Sequence, residues 1–420
     1  MKSMESMLQQ SKEPDSPDRE DEASPEQDFS PHEIEYGMLA TIIHRGPYKP
    51  AHDFKPTVAL DFPTKDEATR LAQGYFASYN HTFPIFSCKR FMQRLQVAEY
   101  PPNKKADYGW FATVLVVLTF AHRLRAMSAP ARAEKENYNA CPYLRELLEA
   151  APKLTYAEPK LDHAQVLLGI ACILRGTAIP DIVPMLTATA IRILQCCDVH
   201  QEEVPGSPEY AHRHERMNTF WVSYIMDKDI ALQFRKPSIL HEQDIGRTFL
   251  CYEPPQGGTV LSLDSFFEVN LFSAAASLAV IQDNVWQLIY RASGIQDRKS
   301  LEVAQELLNP RLANWKQQLP FQFRKEDLVG RWPKHAIVNI VTLHFRYFHT
   351  LVELNKTPPL ESGQPLNSDC ALAEGLPQRP HSTAVVAVEA ARDALDLAAL
   401  LPSGNFQNVW YVADVKSLGA

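Results

Sequence analysis

Thr219–Gly246 reads TFWVSYIMDKDIALQFRKPSILHEQDIG, and its first half has helical spacing. Phe220, Trp221, Tyr224, Ile225, Lys228, Ala231 and Leu232 recur at steps of three and four, which lays one continuous apolar face along a helix. Asp227 and Asp229 place carboxylates where a plain core helix carries alanine or leucine. Pro237 ends the helix, because proline has no N–H to donate and pushes Lys236 toward extended geometry. A polar tail follows around Ile239, Leu240 and Ile245. On residue chemistry alone the stretch is a buried helix with a proline-terminated end. In that setting Asp227 is expected to pair with Arg235 or Lys228 across the end of the helix.

Outward from this stretch the pattern stays helical. Upstream, Lys65–Tyr79 carries Ala68, Leu71, Ala72, Tyr75 and Phe76 at helical spacing, and Pro84 stops it within Asn80–Phe86, NHTFPIF. His81 reads as a helix-end or packing residue. Trp110–Met127 is strongly apolar, and Glu134–Ala151 sets Tyr138, Cys141, Leu144, Leu147 and Leu148 on one side. Pro152–Leu161 reads as a loop, with Asp162 as N-cap of Ala164–Arg175. Met185–Val199 completes the upstream half. Downstream, Ser265–Gly294 reads as one long helix with Phe266, Val269 and Phe272 inward, followed by Val303–Leu319, Ala336–Leu354 and Ala384–Leu400. Short turns between helices imply antiparallel pairs. The expected fold is all-α: a large multi-helix array of antiparallel helical hairpins, with Trp110, Trp221, Trp286 and Trp315 as core or pocket wall.

The central stretch resembles the signature of the fungal-specific transcription factor domain. That family has paired aromatics, then an Asp-Arg step, then Gly-Arg-Pro, then an acidic Asp-Ile-Asp ending. Phe220-Trp221, Asp227-Lys228, Lys236-Pro237 and Asp244-Ile245 stand at those places, with Lys228 where arginine is usual and Arg235 where glycine is usual. Weaker matches follow in the family's order. They are Phe83-Pro84-Ile85 near the start, the leucine-rich run Leu167–Leu174 with Gly176-Thr177, Leu312 with Trp315 and Leu319-Pro320, and Leu343-His344 with Tyr347. The resemblance covers roughly residues 65–400.

Composition sets the outer limits. The 420 residues carry a formal charge of −8, and residues 1–36 hold eleven acidic and three basic side chains, which accounts for all of it. The remainder balances at 39 against 39, which argues against a large nucleic-acid footprint within this body. Residues 1–36 read as a disordered acidic Ser/Pro-rich tail with Ser16, Ser24 and Ser30 each before proline, and 37–64 as a linker. Residues 65–402 form the helical domain, interrupted by a loop over 355–382, and 403–420 read as a cut-short C-terminal helix. None of the seven cysteines forms a C-x-x-C pair, and Cys196-Cys197 read as core filling rather than a redox couple. The longest apolar run, Trp110–Ala121, is short for a bilayer span, so no membrane partner is expected. His212, His214 and Glu215 alternate along a helix and diverge by about 200°, a poor metal geometry.

No Gly-x-Ser-x-Gly turn, phosphate loop or metal spacing is present, so an enzyme is not expected and no catalytic, cofactor-binding or metal residue is assigned. What the resemblance implies is a nuclear transcription regulator controlling a metabolic or biosynthetic gene set, in which Phe220, Trp221, Asp227, Lys228, Lys236, Pro237, Asp244 and Trp315 act as scaffold. Full members of the family bind DNA through a six-cysteine zinc cluster. No cysteine precedes Cys88, so zinc and DNA enter only if such a cluster lies upstream. The alternative is a cluster-less co-regulator, acting through protein partners or a homodimer and sensing a small-molecule effector between its helices.

Overall fold

The computed structural model describes residues 60–175, 182–201, 212–241, 245, 257–291, 298–355 and 390–402. The acidic tail, the linker up to residue 59, the 356–382 part of the loop, the 403–420 helix and Asp244 lie outside the described residues.

Two short elements open the fold. Helix α1 (Lys65–Ala77) is capped by the Thr64 hydroxyl, which accepts from Glu67 N, and buries the apolar positions expected of it. The turn α2 (Tyr79–Thr82) leads into the NHTFPIF stretch, and Asn80, not His81, organises it. The buried Asn80 Oδ1 accepts from Ile85 N and Phe86 N at 3.0 Å each and from Tyr75 Oη at 3.1 Å, while Nδ2 donates to Phe86 O at 2.9 Å. One amide therefore satisfies the backbone around a proline that cannot do so itself. His81 Nε2 lies 2.8 Å from Thr259 O.

Helix α3 (Cys88–Val97) and α4 (Tyr108–Ser128) follow, the latter capped by Asp107 Oδ1, which accepts from Trp110 N at 2.8 Å. Helix α4 is long and apolar enough to cross a bilayer by length and composition, yet 78% of its apolar window is buried against α1 and its later neighbours. It is the core rod of the N-terminal half. Helix α5 (Ala133–Tyr156) pairs with it and runs through Pro142 and Pro152, so the expected loop at 152–161 begins five residues late. Tyr138 is 39% exposed, outside the buried face of α5 that holds Leu144 and Leu147. Helix α6 (Leu161–Leu174) starts one turn earlier than expected. Asp162 lies inside its first turn and makes no cap; the N-cap position is Lys160. The crossing of α4 and α6 is close: a Cβ on Gly169 would meet Val116 Cγ1 at 2.5 Å.

Helix α7 (Val183–Cys196) pairs with α6 and delivers the chain to α8 (Arg213–Phe234). The expected amphipathic face of α8 understates its position. Every residue from Thr219 to Leu232 is buried, so the helix is enclosed on all sides.

Among the described residues, the downstream half departs once from the all-helical expectation. Thr259–Leu261 and Glu268–Asn270 form strands β1 and β2, an antiparallel hairpin in which Val260 faces Val269. The long helix expected from Ser265 therefore begins only at α9 (Leu271–Val285), with Asn270 as its cap, and Phe266 is 85% exposed at the hairpin turn. Gly257-Gly258 serve the start of that hairpin. Gly258 has φ +81°, and a Cβ there would meet Phe272 at 2.7 Å. Alternation in this stretch is three residues long, too short for a strand period to compete with the helical one that follows. A π-turn, Trp286–Tyr290, extends α9. Then come α10 (Arg298–Gln317), the single turn α11 (Lys325–Leu328), α12 (Lys334–Asn355) and a last helical stretch at 390–398. Trp110, Trp221, Trp286 and Trp315 are all buried, and one hydrophobic cluster runs from Ala68 to Leu397.

Candidate functional site

Three consecutive charged residues on α8 are enclosed: Asp227 and Lys228 both meet the segment after Pro237, and Asp229 meets α6 and α12. Successive helical residues turn by about 100°, so Asp227 and Asp229 leave the helix about 200° apart. Asp227, 3% exposed, receives the segment after Pro237. Its Oδ1 accepts from Ile239 N at 3.0 Å, and its Oδ2 accepts from Leu240 N at 3.1 Å and from Ser238 Oγ at 2.6 Å. A chain leaving a helix past a proline needs new acceptors for its next amides, and one carboxylate supplies them.

Lys228 is fully buried. Its ammonium donates to Ser238 Oγ and Leu240 O, lies 3.3 Å from Asp227 Oδ2 and 2.8 Å from Asp283 Oδ1 of α9, and sits 4.6 Å from the Tyr224 ring centre. The contact with Asp283 is ionic rather than an aligned hydrogen bond. Asp227 thus pairs with Lys228, as one of the two sequence alternatives had it. Arg235 turns elsewhere, to Glu353 Oε2 at 3.4 Å and to the face of Tyr290.

Asp229 faces the other way. Its Oδ2 lies 3.2 Å from Arg175 Nη2 at the end of α6 and 3.0 Å from Arg346 Nε on α12, and its Oδ1 accepts from Gln282 Nε2 at 3.1 Å. Gln282 also reaches Thr350 Oγ1 at 3.1 Å. The network therefore joins α6, α8, α9 and α12. Enclosed charges need partners of this kind, because an unpaired one would lose its hydration for nothing in return.

Arg235 closes α8 with φ 50° and ψ 44°, the left-handed cap conformation. A glycine, which the signature this stretch resembles has at this place, would take that backbone without strain, since a Cβ at such a position costs about 1 kcal/mol. Arg235→Gly is accordingly expected to be more stable than Arg235→Ala by about 1 kcal/mol in urea unfolding. Equal midpoints would show that the cap carries no strain.

Of the other residues singled out in the sequence, Phe220 and Trp221 are buried and meet edge to face at 5.9 Å one to two turns before the network. Lys236 and Pro237 are exposed at the helix end. Trp315 stands apart, tying α10 to α9 through Nε1, which lies 3.1 Å from Ala274 O and 3.0 Å from Ser277 Oγ, and stacking on Tyr347. Glu215 of the His212–Glu215 stretch is held by Arg90 at 2.6 Å and by Gln165 at 3.0 Å. Sequence reasoning missed Arg175, Ser238, Gln282, Asp283 and Arg346. The readable signal was a charge in an otherwise apolar helix, Asp283 in α9 and Arg346 in α12.

Comparison with known proteins places this arrangement. The model of the fungal specific transcription factor domain matches residues 72–319. Proteins named ABC-transporter-regulating transcription factor in Aspergillus fumigatus and Aspergillus oryzae are each 30% identical over 367 residues, 86% of this chain and 40% of theirs. A transcriptional regulatory protein of Schizosaccharomyces pombe is 22% identical over 308 residues, 70% of this chain and 39% of its own length. The chain thus spans about 40% of the length of the two Aspergillus relatives. No solved structure matches the chain. The family match runs over α8 and reaches both Arg175 and Asp283, and the chain belongs to the family of the fungal specific transcription factor domain.

Proposed function

We propose that this chain carries the regulatory domain of a nuclear transcription regulator of fungal type, with no catalytic role. The family match over residues 72–319 carries the reading. Residues 65–402 act as one regulatory domain in it, supported by the hydrophobic cluster continuous from Ala68 to Leu397. Phe220, Trp221, Asp227, Lys228, Pro237 and Trp315 are scaffold, as their burial or helix-end positions suggest. DNA is a partner in the context of the full-length family, through a segment other than this charge-balanced helical body. The Aspergillus relatives' name makes ABC transporter genes the first target class to examine.

The test is to fuse the chain to a heterologous DNA-binding domain and read a reporter with both low and high basal output. A change in either direction is the expected result, and it should weaken with Asp227→Ala as the domain loses stability. A reporter indifferent to the fused chain at both basal levels, with the fusion present in the nucleus, would overturn the reading.

A further inference from the structure

The cationic end of the network faces a cleft. Tyr79 of α2, Cys172 and Arg175 from the end of α6, Ala275 of α9, and Thr342 and Arg346 of α12 are on its walls. Both guanidiniums are nine-tenths buried, with side-chain exposures of 8% each. Asp229 is outside the cleft lining and is in contact with both of them. No acidic side chain is among the described residues that line the cleft. Its other titratable walls are neutral near pH 7, because burial pushes up both the Cys172 thiol and the Tyr79 phenol. The Phe83 ring lies 5.4 Å from the Arg346 guanidinium, an apolar cover beside the charge.

Size narrows the occupant. The cleft volume is about 60 Å³. One water needs roughly 10–15 Å³ on this measure, whereas whole drug-sized ligands need about 300–1,000 Å³. A head group fits and a bulky ligand does not. A planar guanidinium matches the oxygen spacing of carboxylate and phosphate, which is why arginine recurs at such sites. A second cleft, where Arg90 and Arg94 stand with Asp162 and Glu215, mixes both signs and selects neither.

We infer that the Arg175–Arg346 cleft receives a small oxyanion, the carboxylate or phosphate end of an acidic small molecule. The occupant shares its two arginines with Asp229 of α8, so binding is felt by the network that holds α6, α9 and α12 together. That this binding serves as an effector input rests on the transcription reading above; the binding itself does not.

The experiment titrates the full chain with sodium succinate and with sodium phosphate, each against sodium chloride at matched ionic strength, and follows the thermal midpoint. A saturable rise of several degrees with at least one probe is expected, and the responding probe distinguishes carboxylate from phosphate. Thr342→Leu and Ala275→Leu, which fill the cleft from two different helices, α12 and α9, and leave the arginines in place, should each weaken the response at least tenfold. Their midpoints in chloride should stay near that of the unsubstituted chain. Curves for both probes that overlay chloride would overturn the inference, as would wild-type binding by a folded variant. If one variant unfolds the other decides, and the unsubstituted chain alone suffices to sink the idea. A silent tethered reporter would remove the transcription reading and leave a positive titration standing; a flat titration would do the reverse.

Discussion

Asp227→Ala is expected to lower the unfolding free energy by about 3–5 kcal/mol, the range seen when one member of a buried ion pair is removed. The loss is larger than that of a surface charge for two reasons. Asp227 is the acceptor for Ile239 N, Leu240 N and Ser238 Oγ, so its removal leaves buried donors with nothing to replace water. It also takes one of the two carboxylates from a fully enclosed Lys228, which then has only Asp283 as counter-ion among the described residues. Asp227→Asn separates these effects. It keeps one acceptor oxygen and loses the charge, and should fall between wild type and Asp227→Ala in urea unfolding. A thermal midpoint unchanged in Asp227→Ala would refute the anchoring role of this carboxylate.

The second large effect is set by pH. His344 on α12 is completely buried, its ring 4.6 Å from that of Phe323, and neither ring nitrogen has a hydrogen-bonding partner among the described residues. Burial, reinforced by repulsion from Lys316, holds its pKa down to about 3. In the unfolded chain the ring titrates near its usual value of about 6.5. Between those two values the unfolded state binds a proton that the folded state refuses, so stability rises with pH across the window. The contribution is fully present above the unfolded pKa and drains as pH falls, by about 1.4 kcal/mol per unit. From pH 6.5 to pH 5 the chain should lose roughly 2 kcal/mol through this ring alone. His344→Leu should remove that slope and gain about 1–3 kcal/mol at pH 7, because it deletes polar atoms that the core does not satisfy. Urea midpoints of the two proteins at pH 7 and pH 5 decide it, and parallel losses would acquit the histidine.

These two residues also mark what the sequence makes legible. The helical period located α1, α4 and α12 within two residues at each end, and α8 at its C-terminal end though six residues late at its start, because each buries a broad apolar surface and the period is a direct image of that burial. It failed at Ser265–Asn270, where a three-residue strand pair carries too little alternation to register, and at Pro152, where α5 continues through a proline. Asp227 and Lys228 were visible as a pair because they are adjacent. Arg175, Asp283 and Arg346 were not, because their partners lie more than fifty positions away and spacing says nothing about such contacts. Asp162 has the residue type of a cap but stands two positions past the N-cap, Lys160, so type alone points to the wrong place. His344 stood within a matched motif, yet nothing in its neighbours' identities showed that both nitrogens would be dry.

Among the described residues, two enclosed clusters on α8, Asp227–Lys228–Asp283 and Asp229–Arg175–Arg346, together hold three carboxylates and three cations. Such a set constrains descent as well as folding. A lineage that changes one member's charge leaves another enclosed charge short of a partner, and neighbours this close do not have additive effects. Drift through the site must therefore move by exchanges of like sign or by compensated pairs. The lysine at position 228, where the signature this stretch resembles has arginine, carries the same sign as that arginine and fits the first route.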